Sequence, residues 1–265
     1  MANTGPVLRI RNEYELQDLI DAEGRDATLI ERDFALTVIA AGLIAEYGDA
    51  LCFKGGYVLR HVYGHERFSK DIDTTKINPP KSKLDSEQVA ITIRESGMRN
   101  LLSLNAGEPA TDSGRSLDFD HISYTGPLGS GFVSVEVSYR EALVKEPHLV
   151  AVGEPYYEPF EIPVMQLHEI AAEKLRALAQ RQRPTDLSDL AMILRDNEID
   201  KQQARELATK KFELVKPGDR QGRIENNIAA AGPEYDDVVS AVAPDAPDYA
   251  TARELVLRNL SAMLP

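Results

Sequence analysis

The chain has 265 residues, 43% of them hydrophobic and 28% charged, with a net charge of −13 and one cysteine. That length supports a sizeable core in one or two domains, and the composition excludes a disordered, collagenous or coiled-coil chain. The acidity excludes broad, sequence-independent adhesion to nucleic acid, and a lone Cys52 excludes a disulfide framework or a cysteine-rich metal site.

In chain order, Asn12 caps a helix from Glu13 to Asp21, and a second helix runs from about Thr28 to Tyr47. Its most apolar stretch, Phe34 to Ala45, is too short to span a bilayer. Met1 to Ile20 carries charges where a signal peptide needs an apolar core, so a cytoplasmic protein with no membrane partner is expected. Ala50 to Phe53 reads as a short buried strand containing Cys52, and Gly55-Gly56 turns the chain tightly into a helical Tyr57 to Tyr63. Backbone N–H groups at such a turn can meet a phosphate. Ser69 to Thr74 reads as a second strand, on which Ser69, Asp71 and Asp73 share one face. Two close acids repel unless a cation lies between them. Mg²⁺, or Mn²⁺ in its stead, takes oxygen ligands and keeps substrate phosphates in its shell. The glycine turn and the acid pair together predict a nucleoside triphosphate bound with a metal, whereas either alone also suits an ordinary solvated turn.

Asn78-Pro79-Pro80 marks a turn before a helix from Ser86 to Ser96, and Arg99 to Leu104 reads as a strand. Leu117 to Tyr124 and Phe132 to Tyr139 read as a hairpin joined by Thr125 to Gly131. In its second strand Glu136 lies on the face opposite Val133, Val135 and Val137. Beside Ser69 to Thr74 it would be a third metal ligand; on a solvent-facing edge it would be an ordinary surface acid. Pro155, Pro159 and Pro163 mark a border, and the chain from Val164 onward reads as helical. The expected fold class is α+β: a mixed-sheet domain over residues 1–160 and a helical domain over 161–265, with a nucleotide in a cleft between them.

Within a helix from Met165 to Gln180, Leu167, Ile170, Ala171, Leu175 and Leu178 form an apolar stripe with Lys174 in its middle and Glu173 on the other side. A lysine there must snorkel or be paired, and the wall of an acidic phosphate site would account for both its charge and its position. Pro184 suits the first turn of the next helix, which carries Asp186 and Asp189 one turn apart. These acids could pair with Lys174 or assist proton transfer, and Asp186 also suits a helix N-terminus as such. Farther on, Lys201, Arg205, Lys210, Lys211, Lys216, Arg220 and Arg223 outnumber Glu206, Glu213 and Asp219. That segment reads equally as a polynucleotide-contacting surface or a solvated helix face.

The combination Phe53-Lys54-Gly55-Gly56, Arg67-Phe68-Ser69-x-Asp71-x-Asp73, Glu173-Lys174-Leu175-x-Ala177-Leu178 and Arg183-Pro184-Thr185-Asp186-Leu187-Ser188-Asp189-Leu190 resembles the AbiEii-like nucleotidyltransferase family, which includes the MenT toxins. The resemblance spans roughly residues 50–194. It implies a DNA polymerase β-like nucleotidyltransferase fold and the toxin half of a bacterial or phage-defence toxin–antitoxin pair. It further implies transfer of a nucleotide from an NTP to the acceptor end of tRNA, blocking translation, with a cognate antitoxin as partner. Matched residue by residue, Ser69 and Asp71 fall on the first active-site motif, Asp73 on the second carboxylate, Lys174 on the lysine motif and Asp189 on the last acidic position.

The expected site therefore has Ser69, Asp71, Lys174 and Asp189 in catalysis and Gly55, Gly56, Arg67, Ser69 and Lys174 on the nucleotide. Asp71, Asp73 and Glu136 are expected on the metal, with Asp186 in support; Glu136 comes from strand geometry alone. Tyr57 stands where the family often has a small residue, and Thr185 where arginine is usual. Two alternatives remain: phosphoryl or nucleotidyl transfer to a protein, and a non-catalytic nucleotide-sensing module. The complete set Ser69, Asp71, Asp73 and Lys174 argues against the second.

Overall fold

The computed structural model describes residues 6–77, 83–140, 143–196, 198–216 and 218–265, so the turn expected at Asn78-Pro79-Pro80 lies outside the described residues. The chain divides into two compact units. One comprises Met1–Val62, Phe68–Leu143 and Pro147–Val164; the other comprises Tyr63–Arg67, Val144–Glu146 and Met165–Pro265.

The first unit begins with α1 (Glu13–Glu23), where Asn12 caps the N-terminus by accepting the Glu15 N–H, and α2 (Ala27–Tyr47), capped by Asp26. There follow β1 (Leu51–Lys54), α3 (Gly55–His61), β2 (Asp71–Lys76), α4 (Ser86–Met98), β3 (Ser103–Asn105), β4 (Thr111–Asp112), β5 (Ser116–Thr125), β6 (Ser130–Ser138), β7 (His148–Val152) and β8 (Phe160–Val164). The described strands form one mixed sheet in the order β3-β5-β6-β2-β1-β8-β7, with β4 beside β5. β2 is antiparallel to β1 and parallel to β6, so it lies at the middle of the sheet with both edges paired.

Hydrophobic burial explains where the sheet's faces point. Val133, Val135 and Val137 of β6 and Ile72 of β2 are buried, while Asp71, Asp73, Ser134 and Glu136, alternating with them, are half-buried. α2 supplies much of this unit's core through Phe34, Leu36, Val38, Ile39 and Leu43, each contributing roughly 1.5–3 kcal/mol on burial. It packs closely on α4, since a Cβ at Gly42 would stand 2.7 Å from Ser96 Cβ.

Three elements differ from the sequence reading. The strand expected over Arg99 to Leu104 shrinks to β3, because Asn100 N–H bonds Gly97 O and Leu101 takes φ 61, which turns the chain before it extends. β7 and β8 form an antiparallel hairpin where only a proline-marked border was expected; Pro163 sits inside β8, opposite Leu149. β8 also runs across the expected 160/161 border, and the units divide instead at Val164 and Met165.

The second unit consists largely of α5 (Leu167–Leu178), α6 (Pro184–Asp196), α7 (Lys201–Lys211), α8 (Arg220–Ser240) and α9 (Tyr249–Met263). Ile170, Leu175 and Leu178 of the predicted apolar stripe are buried, as are Leu187, Leu190 and Ile193 of α6. Asn227 of α8 donates to Leu178 O at 2.8 Å and so satisfies a carbonyl at the end of α5. Glu169 of α5 accepts the N–H groups of Val144 and Lys145 at 2.9 and 3.0 Å. No helix among the described residues is long and apolar enough to cross a membrane.

Candidate active site

In the first unit, β1 ends at Lys54 and the chain enters α3 at once through Gly55 and Gly56. Gly55 has φ +69, a conformation that costs a non-glycine residue roughly 1–2 kcal/mol. It is also hemmed in, since a Cβ there would collide with the Asp73 carboxylate. The glycine turn and the acid strand are therefore in direct contact, and glycine is required for both backbone and space. The N-cap residue Lys54 makes no side-chain cap hydrogen bond to α3. Tyr57, the larger residue after the glycines, is buried, with its ring 4.4 Å from that of His61.

Ser69 is placed differently from the expectation. β2 starts at Asp71, and Ser69 precedes it, with its hydroxyl donating to Asp71 O at 3.0 Å and accepting Asp71 N–H at 3.3 Å. Such side chain-to-backbone bonding competes with the ladder and makes Ser69 a turn residue at the strand's start. Asp71 and Asp73 do share a face of β2. Across the parallel pairing with β6, Asp71 is in register with Ser134 and Asp73 with Glu136. The Ser134 hydroxyl donates to Asp71 Oδ1. On the other side Asp73 is in register with Lys54.

This is the neighbourhood that Glu136 needed to stand beside the aspartates. Among the described residues, however, no three His, Cys, Asp or Glu side chains are grouped so as to hold a metal ion. The donor set fits a cation that takes two carboxylates and completes its shell with substrate phosphate oxygens, as Mg²⁺ does.

In the second unit, Lys174 does lie between the two acids of α6. Its Nζ is 3.0 Å from Asp186 Oδ1 and 2.8 Å from Asp189 Oδ2, and its side chain is 13% exposed. Asp189, wholly buried, also stands 2.7 Å from Arg67 Nε. Asp186 in turn receives Arg181 Nε at 2.6 Å and Nη2 at 3.1 Å, a bidentate pairing. The result is an alternating row, Arg181, Asp186, Lys174, Asp189, Arg67. Burial works to lower the Lys174 pKa, but Asp189 and Asp186 outweigh it and hold the ammonium above its ordinary value. Burial likewise opposes ionisation of Asp186, yet Lys174 and Arg181 hold its carboxyl well below the usual range. Thr185, half-buried in the first turn of α6, carries no positive charge into this row.

The basic run read from sequence is only partly a surface. Lys211 is buried, 2.6 Å from Glu169 and 3.0 Å from Glu173, and Lys210 lies 3.3 Å from Glu213. Sequence reasoning missed Ser134, Lys54 and Arg181. Ser134 had a signal, since it falls two residues before Glu136 on the same strand face. The register that brings it to Asp71 needed the sheet order.

A glycine-led helix thus packs against an acid-bearing strand of a mixed sheet. Residues 39–257 match the family model described as nucleotidyl transferase AbiEii toxin, type IV toxin–antitoxin system, and the chain belongs to that family. Among solved structures it is similar to the MenT4 nucleotidyltransferase toxin of Mycobacterium tuberculosis H37Rv, at 22% identity and TM-score 0.68, covering 94% of this chain and 89% of that one. It is similar also to JHP933 of Helicobacter pylori, at 18% identity and TM-score 0.60, covering 90% and 93%. A putative nucleotidyltransferase of H. pylori matches at 18% identity and TM-score 0.62, covering 90% and 96%. At these identities the likeness is one of fold. No curated protein matches the chain.

Proposed function

We propose that this toxin transfers a nucleotide from an NTP to the acceptor end of a tRNA in a Mg²⁺-dependent reaction, blocking translation, and that a cognate antitoxin restrains it. The observation that carries the reading is the contact of Gly55 with Asp73, beside Asp71 on one face of β2. It joins the glycine turn to a pair of carboxylates. In this proposal Asp71 and Asp73 hold the metal, with Glu136 the adjacent acid in register. The bound cation would neutralise phosphate charge and stabilise the leaving pyrophosphate.

Gly55, Gly56 and Ser69 hold the triphosphate, and Lys174 and Arg67 balance negative charge on phosphate as it grows. A lysine kept protonated by Asp186 and Asp189 suits that electrostatic role and not that of a base. Asp189, wholly buried between Lys174 and Arg67, is assigned to orienting them. A terminal RNA hydroxyl attacks the α-phosphorus; the new O–P bond forms as the bond to the β-phosphate oxygen breaks, and the hydroxyl proton passes to a nearby carboxylate or to water.

The test is incubation of the purified protein with total RNA, Mg²⁺ and each α-labelled triphosphate. Label should appear on RNA of tRNA size and vanish with Asp71→Asn. Equal labelling by Asp71→Asn and wild type would refute the assignment. Label from γ-labelled triphosphate, or label on protein, would point to phosphoryl transfer or a protein target instead.

A further inference from the structure

We infer that Arg32 and Asp33, neighbours on α2, are positioning residues that fix the start of the acid strand relative to the glycine helix; this rests on the transfer reading of Ser69, Asp71 and Gly55. Arg32 Nε donates to the backbone carbonyl of Ser69 at 3.0 Å. Ser69 in turn holds Asp71 through the two hydrogen bonds between its hydroxyl and the Asp71 backbone. Asp33 points elsewhere. Its Oδ2 accepts from Arg60 Nε at 3.2 Å and from the Tyr156 hydroxyl at 3.0 Å, and its Oδ1 faces His61 Nε2 at 3.1 Å.

Arg60 and His61 form the last turn of α3, the helix that Gly55 and Gly56 begin. The Arg60 guanidinium also lies 3.9 Å from the centroid of the Phe68 ring, and Phe68 immediately precedes Ser69. The contacts close a ring: Asp33 to Arg60, Arg60 to Phe68, Phe68 through the chain to Ser69, and Ser69 to Arg32. One turn of α2 thereby holds both the far end of the glycine helix and the entry to β2.

The chemistry of the ring favours orientation over stability. Asp33 is 1% exposed, and a buried ion pair can often be replaced by well-packed apolar side chains without loss of stability. What apolar packing lacks is direction. A guanidinium held at one end by a carboxylate and set over a ring, and a second guanidinium bonded to one carbonyl, fix angles as well as distances. Such fixing matters for transfer, since misplacement of a reacting group by about 1 Å can cost on the order of 100-fold in rate.

The experiment compares wild type, Arg32→Lys, Arg32→Gln, Asp33→Asn and the Arg32→Gln/Asp33→Asn double variant as full-length chains. Each is measured for thermal midpoint, for Mg²⁺-triphosphate affinity and for rate of label transfer at saturating substrate. Arg32→Gln should keep its thermal midpoint within about 5 °C of wild type while its saturating transfer rate falls at least about tenfold. Arg32→Lys should recover part of that rate, since its ammonium can still donate to the Ser69 carbonyl. A ring opened once is open, so the double variant should be no slower than the slower single one. Rates within about twofold of wild type in both single variants, or losses that multiply in the double, would overturn the inference. A wild type that neither binds triphosphate nor transfers label would instead overturn the reading beneath it.

Discussion

Lys174 and Lys211 are both helical lysines of the second unit held between two carboxylates, and they are built for opposite ends. Lys211 is sealed: its side chain is 2% exposed, and its partner Glu169 also takes two backbone N–H groups from Val144 and Lys145. Its second partner, Glu173, lies 3.0 Å away. Lys174 is 13% exposed, and it shares Asp186 with Arg181 and Asp189 with Arg67. A buried lysine whose partner carboxylate is also tied to two peptide N–H groups is a strut. Lys174, less deeply buried and flanked through its acids by two arginines, is the lysine that the proposed function places on phosphate.

Substituting both lysines by methionine, which keeps volume and removes charge, tests the contrast at its largest. Lys211→Met leaves Glu169 and Glu173 without their cation and should cost about 3–5 kcal/mol in urea unfolding. Lys174→Met should cost clearly less, because each of its acids keeps an arginine. Transfer should nonetheless fall about 100-fold or more, the scale of a lost charge-stabilising contact. If Lys174→Met proved the more destabilising and left transfer intact, the division between strut and anion site would be wrong.

Asp33 extends the sealed class to the first unit and adds a pH dependence. Burial works to raise its pKa, but His61 and Arg60 hold it at about 2, below an unfolded value of about 3.9. A depressed carboxyl contributes stability above its unfolded pKa and loses it as pH falls through the folded one. About 2–3 kcal/mol should therefore disappear between roughly pH 4 and pH 2. Acid titration of unfolding should show a shallower loss in Asp33→Asn over that window. Parallel curves for variant and wild type would show that the ring is not charged as described.

A pair of glycines sharpens the open class. Gly55 and Gly24 both have positive φ, at +69 and +62, but a Cβ at Gly24 meets nothing within 4 Å. Gly24→Ala should lose about 1–2 kcal/mol from backbone strain alone and keep its transfer activity. Gly55→Ala carries the same strain and must also displace the Asp73 carboxylate, so its transfer should fail. Equal activity in the two variants would detach the glycine turn from the acid pair.

What the sequence revealed follows from the reach of each signal. Asn12, Pro184 and the alternation in β6 act within a few residues, and the structure places them as expected. Lys174 was visible because an apolar stripe makes a charge conspicuous. Lys211 was not, although it follows Leu207 and Ala208 on the buried face of α7, because the acids that pair with it, Glu169 and Glu173, lie about 40 residues away in sequence. Ser134 and Arg32 were hidden for the same reason: one needs the parallel pairing of β2 with β6, the other the approach of α2 to Ser69. The β7–β8 hairpin was obscured by its prolines, which argue locally against a strand that tertiary pairing nevertheless secures.

The smallest expected effect lies beside the largest. Lys210 precedes Lys211 on α7 and also faces a glutamate, Glu213 at 3.3 Å, but the two side chains are 62% and 66% exposed. Water and salt screen such a pair, and holding two long side chains in one geometry costs entropy. Lys210→Ala should therefore change stability by less than about 0.5 kcal/mol. Raising the salt concentration should shrink even that difference, while leaving the cost of Lys211→Met largely unchanged because its ions are out of solvent. Two adjacent lysines, each with a carboxylate in reach, would then differ several-fold in energetic weight through burial alone. A Lys210→Ala cost matching that of Lys211→Met would mean that α7 itself, and not the sealed triad, sets the stability of this region.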